Sequence, residues 1–321
     1  MSPGLCYKPA MADSRYLPPL LIVNPASGKG RGGCLFGELR PALEKRFPGL
    51  QVRISEYAGH AVEIARDALQ QGFRRLLTIG GDGTPFEVLN GAWADLPAGD
   101  AGSAADLEIG MIPAGTGNSF IRDFAAIDPA AAVERIAAGP GERVDVVEFS
   151  YNRQGRERRQ YFLNILGIGL IADILKLTNE RFKRLGALGY SAAVMVRLAR
   201  RMRNAITLDI DGRRETVRDS ALVVCNSKYT GGKMKIAPQA ETGDGSVDLV
   251  VFNEVSRRDI LAIFSRVFSG RHVDHPKVLC RRARELVIEA SPPQLLMADG
   301  ELLGETPARL RVWPRALTVR L

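Results

Sequence analysis

Between Leu20 and Phe124 this chain repeats one event three times: a short apolar run breaks into a loop of glycine and small polar residues, and a helix-like segment follows. The middle instance is the sharpest. Leu76-Leu77-Thr78-Ile79 runs into Gly80-Gly81-Asp82-Gly83-Thr84, and the stretch from Glu87 to Trp93 looks helical. Before it, Leu20 to Val23 ends in Asn24-Pro25-Ala26-Ser27-Gly28-Lys29-Gly30, with a helix predicted over 34–47. After it, Leu107 to Ile112 ends in Pro113-Ala114-Gly115-Thr116-Gly117-Asn118-Ser119, ahead of the helical-looking Phe120 to Phe124. Short apolar runs bounded by glycine read as central strands of a sheet covered on both faces. Strand, loop and helix in that repeating order predict an open parallel α/β sheet, whose ligands bind where the strands end. Gln51 to Ser55 and a helix over 61–71 extend the same half.

The loops suit an anion. Gly80, Gly81 and Gly83 are expected to turn with positive φ and let a ligand approach the backbone N–H groups, with a helix N-terminus behind them. Asp82 is the exception, since a bare carboxylate repels phosphate; it fits if it holds Mg²⁺ or takes a proton from an acceptor. The lysine-bearing loop is not a Walker motif, because Lys29 lacks the following Ser or Thr at the required spacing.

From about Val144 the pattern changes to alternating strands with few helices. Arg143 to Tyr151 and Gln160 to Ile165 read as a hairpin with the basic connection 153–159. Further strands are expected at 205–210, 216–226, 247–252, 285–290, 295–298, 308–312 and 316–321, with a helix over 256–269. The fold class is therefore α/β with two domains, an N-terminal α/β domain followed by a C-terminal, mainly antiparallel β-domain. The expected bounds are a disordered leader at 1–18, the α/β domain at 19–143 and the β-rich domain at 144–305.

Three loop motifs in this order, Asn24-Pro25-Ala26-Ser27-Gly28-Lys29, Gly80-Gly81-Asp82-Gly83-Thr84 and Pro113-Ala114-Gly115-Thr116-Gly117-Asn118, resemble the diacylglycerol kinase catalytic family, which includes bacterial lipid kinases, sphingosine kinases and ceramide kinases. The likeness continues through Asp244-Gly245-Ser246-Val247-Asp248 and Asp299-Gly300-Glu301. The resemblance implies an N-terminal Rossmann-like α/β nucleotide-binding domain completed by the last segment, 306–321, a C-terminal mainly antiparallel β-sandwich-like domain, and an interdomain cleft where ATP and a lipid hydroxyl meet. By the same likeness Asn24, Pro25, Ala26, Ser27, Gly28, Ser55, Gly80, Gly81, Asp82, Gly83, Thr84, Gly115, Thr116 and Asn118 would contact ATP. Asp244, with the carbonyls of Glu241 and Ser246, would hold Mg²⁺. Asp82, Asp299 and Glu301 are the catalytic candidates, Glu301 resembling the family's proton acceptor, and Asp123 is placed beside the acceptor hydroxyl. An extended Asp299–Glu301 would set both carboxylates on one face, and a solvated Asp-Gly-Glu hairpin turn is the alternative. Which of the three removes the proton stays open.

Some positions depart from the family pattern. Pro85 and Phe86 stand where many relatives carry Leu and Asn, and Ser119 where many bacterial diacylglycerol kinases carry Asp. The acceptor is thus diacylglycerol, ceramide or a sphingoid base. A soluble kinase of NAD or a sugar, and a catalytically weak lipid- or nucleotide-binding regulator, are the alternatives.

Net charge is +8, which favours an anionic partner. No stacking module accompanies the basic residues, so nucleic acid is not expected. Lys176 to Arg203 holds eight basic residues and one acid, interleaved with apolar side chains, and is expected to be a helix that either docks the protein peripherally on an anionic membrane or covers the β-domain with its apolar side, its charges solvated. No apolar run is long enough to span a bilayer and the first residues do not look like a secretory signal, so a cytoplasmic protein at the inner membrane face is expected. A homodimer is left open. The four scattered cysteines form no zinc spacing and read as reduced, mostly buried thiols.

Overall fold

The computed structural model describes residues 17–100, 106–125, 127–178, 180, 204–218 and 220–321. Almost all of the expected leader and of the basic helix after Lys176 lies outside the described residues.

Four parallel strands open the chain: β1 (Leu20–Val23), β2 (Gln51–Ile54), β3 (Arg75–Gly80) and β4 (Glu108–Pro113), in the spatial order β4-β3-β1-β2. Between them run α1 (Arg31–Arg46), α2 (His60–Gln70) and α3 (Gly83–Ala92), and α4 (Pro129–Ala138) follows. Strand side chains alternate between faces, which splits even a four-residue run into two cores. Leu20 and Ile22 pack with Ile64, Ala65, Val88 and Leu89 of α2 and α3. Leu21 and Val23 pack with Leu35, Leu39, Val133 and Ile136 of α1 and α4. A strand buried on both sides has no polar position to spare, hence the unbroken apolar runs. β2, at the edge, is exposed throughout.

The second half is a sandwich of two antiparallel layers. One holds β14 (Val278–Ala283), β13 (Val247–Phe252), β10 (Ala221–Cys225), β7 (Ile165–Ile168) and β16 (Leu295–Ala298), in that order. The other holds β6 (Arg156–Phe162), β5 (Glu142–Arg153), β15 (Glu285–Ser291), β8 (Ala205–Ile210) and β9 (Arg213–Arg218). The strand common to both is β17 (Glu301–Arg320), which pairs first with β16 and then runs between β5 and β15. Phe149, Phe162, Leu166, Leu222, Leu249 and Leu310 fill the space between the layers. A third layer, α5 (Leu170–Leu177) and α6 (Arg257–Arg266), covers the outer face of β7, β10 and β13. A small hairpin, β11 (Tyr229–Thr230) with β12 (Met234–Lys235), stands apart from the main sheet.

β17 joins the halves. Its residues Thr318–Arg320 pair in parallel with Glu108–Gly110 of β4, so the sheet is continuous from one half to the other. The two strands expected over 308–312 and 316–321 are this single strand. A register shift between Trp313 and Leu317 accommodates Pro314, which has no N–H for the ladder. The expected strand over 216–226 is instead two, ending at Arg218 and restarting at Ala221 in the opposite layer. The β5–β6 connection is only Gln154-Gly155, both with positive φ, because the arginines around it are strand residues. Phe86 of α3 is buried in the sandwich core, and the Asn90 side chain bonds the backbone N–H and C=O of Tyr161 in β6. Of the described cysteines only Cys225 is buried; Cys34 and Cys280 are on amphipathic surface positions and exposed.

Candidate active site

β1, β3 and β4 are neighbours, so their three loops emerge side by side. They pack through backbone rather than side chains. None of Gly80, Gly81 and Gly83 has a positive φ, against expectation. Crowding excludes a Cβ at Gly80, where one would lie 2.1 Å from Thr84 Oγ1, and packs Gly81 against Gly115, whose own Cβ would lie 2.4 Å from Gly81 Cα, whereas Gly83 has room for one. Gly28, which does have φ +58°, would place its Cβ 2.2 Å from the carbonyl oxygen of Ala114. Polar ties complete the cluster. Asn24 Nδ2 donates to Thr84 Oγ1 (3.3 Å), while Asn24 Oδ1 accepts from the N–H of Ala26, next to Pro25. Ser27 Oγ donates to the Asn24 carbonyl, and Ser55 Oγ to that of Val23. Asn118 closes its own loop onto both backbone groups of Gly115, leaving Thr116 exposed. The N-termini of α1 and α3 begin at these loops, giving N–H groups and helix dipoles suited to phosphate.

Asp82 caps the arrangement. Its Oδ1 accepts the N–H of Ser119 at 2.6 Å and of Phe120 at 3.3 Å, while Oδ2 faces Gly117, where a Cβ would come within 2.9 Å. Burial pushes the Asp82 carboxyl above its ordinary value, opposed by those N–H donors. Asp299 lies close enough for the two charges to interact. It is 7% exposed and accepts three backbone N–H groups, from Leu163, Asn164 and Ile165. Burial raises it to about 7 even so, with the Asp82 charge adding to the rise.

Asp299 and Glu301 do not share a strand face. Asp299 and Gly300, at φ +47° and +96°, form the two-residue turn between β16 and β17, with Ala298 opposite Glu301. Asp-Gly favours this turn because both positions need positive φ. Glu301 therefore points toward Gly83, whose Cβ would lie 3.4 Å from Glu301 Oε1, and burial together with the Glu87 charge raises its carboxyl. Glu87 itself accepts the N–H of Gly59 at the start of α2.

Below Asp82 and Asp299 a cavity of about 270 Å³ opens into the layer between the sandwich and α5/α6. Its walls are apolar: Ile171 and Ile174 from α5, Ile263 and Phe264 from α6, Val223 and Phe252 from the strands, among others. Asp82, Ser119, Asn164 and Asp299 bring the polar end. Ser119 ties this mouth together, its N–H on Asp82 and its Oγ accepting the N–H of Gly232 in the β11–β12 turn at 3.0 Å. Asp123 faces elsewhere, accepting the N–H of Lys228 at 2.9 Å, and burial raises its carboxyl.

The carboxylate expected to hold Mg²⁺ is engaged by protein groups. The Asp244 carboxylate accepts from Arg282, from the Ser246 N–H at 3.0 Å and from Ser246 Oγ at 2.9 Å, so protein donors take up its oxygens. Among the described residues no cluster of three His, Cys, Asp or Glu side chains could hold a metal. Sequence reasoning missed the buried Asp145, whose carboxylate takes the N–H groups of Gly245 and Arg315 and so fastens this loop to β17. It also missed Asn164, Glu87 and the cavity; only Asp145 had a sequence cue, an acid amid the apolar run Val144 to Val147.

Two family models match the chain: the diacylglycerol kinase catalytic domain over residues 18–149, and the YegS C-terminal NAD kinase beta sandwich-like domain over 164–321. A diacylglycerol kinase of Staphylococcus carnosus (strain TM300) is 28% identical over 290 residues, 90% of each chain. One of Mycobacterium tuberculosis (strain ATCC 25618 / H37Rv) is 28% identical over 305 residues, 93% of each. The crystal structure of a "putative diacylglycerol kinase" from Bacillus anthracis str. Sterne has the same fold, with a TM-score of 0.77 at 24% identity over 98% of both chains.

Proposed function

Because the chain belongs to the diacylglycerol kinase catalytic-domain family and is a lipid kinase, we propose that it transfers the γ-phosphate of ATP to the hydroxyl of a lipid whose chain occupies the apolar cavity. The observation that carries this reading is the position of two carboxylates, Asp82 and Asp299, at the polar end of an otherwise apolar cavity, next to three phosphate-suited loops. A sugar or nucleotide acceptor would leave its hydroxyls unpartnered against Ile174, Ile263 and Phe252, at the cost that buried polar groups carry.

The loops at Asn24–Gly28, Gly80–Thr84 and Gly115–Asn118 hold the triphosphate by backbone N–H groups and helix N-termini. Mg²⁺ arriving with ATP supplies charge neutralisation on the phosphates. Phosphoryl transfer asks chiefly for positioning and electrostatics, with a base at the acceptor oxygen. Asp82 takes that role: Oδ1 is anchored to the Ser119 and Phe120 N–H groups, and Oδ2 accepts the hydroxyl proton as the acceptor oxygen attacks the γ-phosphorus and ADP leaves. Asp299 holds the Leu163–Ile165 backbone at the cavity mouth, and burial keeps Asp82 basic.

An apolar cavity of about 150 Å³ takes one benzene. By that scale this cavity takes roughly ten carbons, one chain rather than two. The acceptor is therefore diacylglycerol, ceramide or a sphingoid base with one chain inserted.

The test is transfer from labelled ATP to a mixed-micelle panel of diacylglycerol, monoacylglycerol, ceramide, sphingoid base and phosphatidylglycerol, with NAD and sugars beside them and Asp82→Ala as control. A lipid product that vanishes in the variant is the expected result. Phosphorylated NAD or sugar with no lipid product would overturn the reading.

A further inference from the structure

The roof of the cavity has two apolar sides. The inner side of α6 gives Ile260, Ile263, Phe264 and, just past its end, Val267 to the cavity wall. The outer side exposes Leu261 (51%) and Phe268 (52%), two of the few large apolar side chains left in water. Arg258, less than one turn before Leu261, and Arg271, three residues past Phe268, are exposed and have no acidic partner among the described residues, whereas Arg266 is exposed on the other flank of the helix, about 140° round from Leu261. Asp259, the acid within the helix, does not offset them, since it is bonded to Lys277 (2.8 Å) and to the Ser256 N–H in a capping box. Glu254 and Asp274 are the exposed acids nearest in sequence, one before the helix and one after it.

We propose that the outer face of α6 lies on an anionic lipid bilayer, with Leu261 and Phe268 inserted among the acyl chains and Arg258 and Arg271 on the headgroups. Basic residues beside exposed Leu and Phe on one helix face form an interfacial signature, and charge complementarity selects an anionic surface over a neutral one. Continuity with the cavity argues for a bilayer over a protein partner. One helix wall faces membrane and the other faces the chain site, so a lipid enters from beside α6 without crossing water. This rests on the lipid-kinase reading, but a separate measurement reads it.

The experiment is sedimentation of the full chain with vesicles of phosphatidylcholine plus phosphatidylglycerol, against phosphatidylcholine alone. The wild type is expected on the anionic vesicles, and Arg258→Gln/Arg271→Gln weakens binding about 25-fold, roughly fivefold per arginine. Leu261→Glu abolishes it, while Phe268, whose ring packs on the cavity-wall Phe264, is left unchanged. Both variants retain the wild-type melting temperature and full transfer to a short-chain, monomeric lipid, since none of Arg258, Arg271 and Leu261 lines the cavity. Equal vesicle binding by wild type and variants, or none by the wild type, overturns the proposal. So does a wild-type dimer in sedimentation equilibrium that Leu261→Glu dissociates, which assigns the face to a second copy. Docking without transfer to any lipid would sink the kinase reading and leave this one standing.

Discussion

The crevice of loops and the cavity beneath it are contiguous but are built by opposite rules. In the crevice, Gly28, Gly81 and Gly115 bring backbone against backbone, and there is no volume to yield. In the cavity, walls from α5, α6, β7, β10 and β13 are side chains with rotamers to spare, enclosing about 270 Å³ of unfilled space. Fixed phosphates need fixed donors, whereas an acyl chain needs only room and exclusion of water. A single methyl should therefore matter greatly on one side of Asp82 and little on the other.

The strongest test of that contrast lies at its boundary. Asp82→Asn is expected to lower transfer about 10³-fold while ATP binding by calorimetry stays within a few-fold, as for loss of a general base. Unchanged kcat would remove Asp82 from the chemistry. Next, Gly115→Ala places a methyl 2.4 Å from Gly81 Cα and should cost about 100-fold in transfer, since a displacement of about 1 Å at a reacting site has that effect. An active Gly115→Ala enzyme would show that the loops can move apart.

A third test uses pH. Asp299 rises from 3.8 in the unfolded chain to about 7 when folded. Its contribution is complete below pH 4 and is lost as pH rises through 7, because burial charges the carboxyl at a cost the unfolded chain does not meet. Urea midpoints should fall between about pH 4 and 7 in the wild type and level off above, and that slope should flatten in Asp299→Asn. That variant starts lower, since its amide sets a donor against a backbone N–H. Parallel slopes would mean that Asp299 is charged at little cost. The smallest effect is expected at Ile263→Val, which removes one methyl from the cavity wall. Stability should drop about 1 kcal/mol, and the best acceptor chain should lengthen by about one carbon. A collapse in activity there would put the cavity under the crevice's rule.

The same contrast governs what the sequence made legible. Apolar runs ending in glycine announced β1, β3, β4 and their loops, because a doubly covered strand and a backbone contact each demand particular residues. The reason assigned to the glycines was wrong, however: positive φ and crowding select the same residue, and only coordinates tell them apart. Asp299-Gly300 carried a turn signal, and of the extended and hairpin readings open for it the hairpin is the one found. The cavity was invisible for a different reason. Leu222 and Val224 face the filled sandwich core while Val223 and Cys225 face the helical layer, and alternation reports burial without reporting whether the space beyond is full.

The long strand β17 has a consequence for how such a chain is made. Arg320 bonds Glu108 across a sequence separation of 212 residues, and only residues 318–320 cover the open side of β4. At about 5–20 residues per second, synthesis of the intervening chain takes roughly 10–40 s. Throughout that interval the nascent first domain carries an unpaired sheet edge, the feature most prone to pairing with another chain. Chaperone capture, or the speed of translation across the second half, therefore bears on the yield of the first.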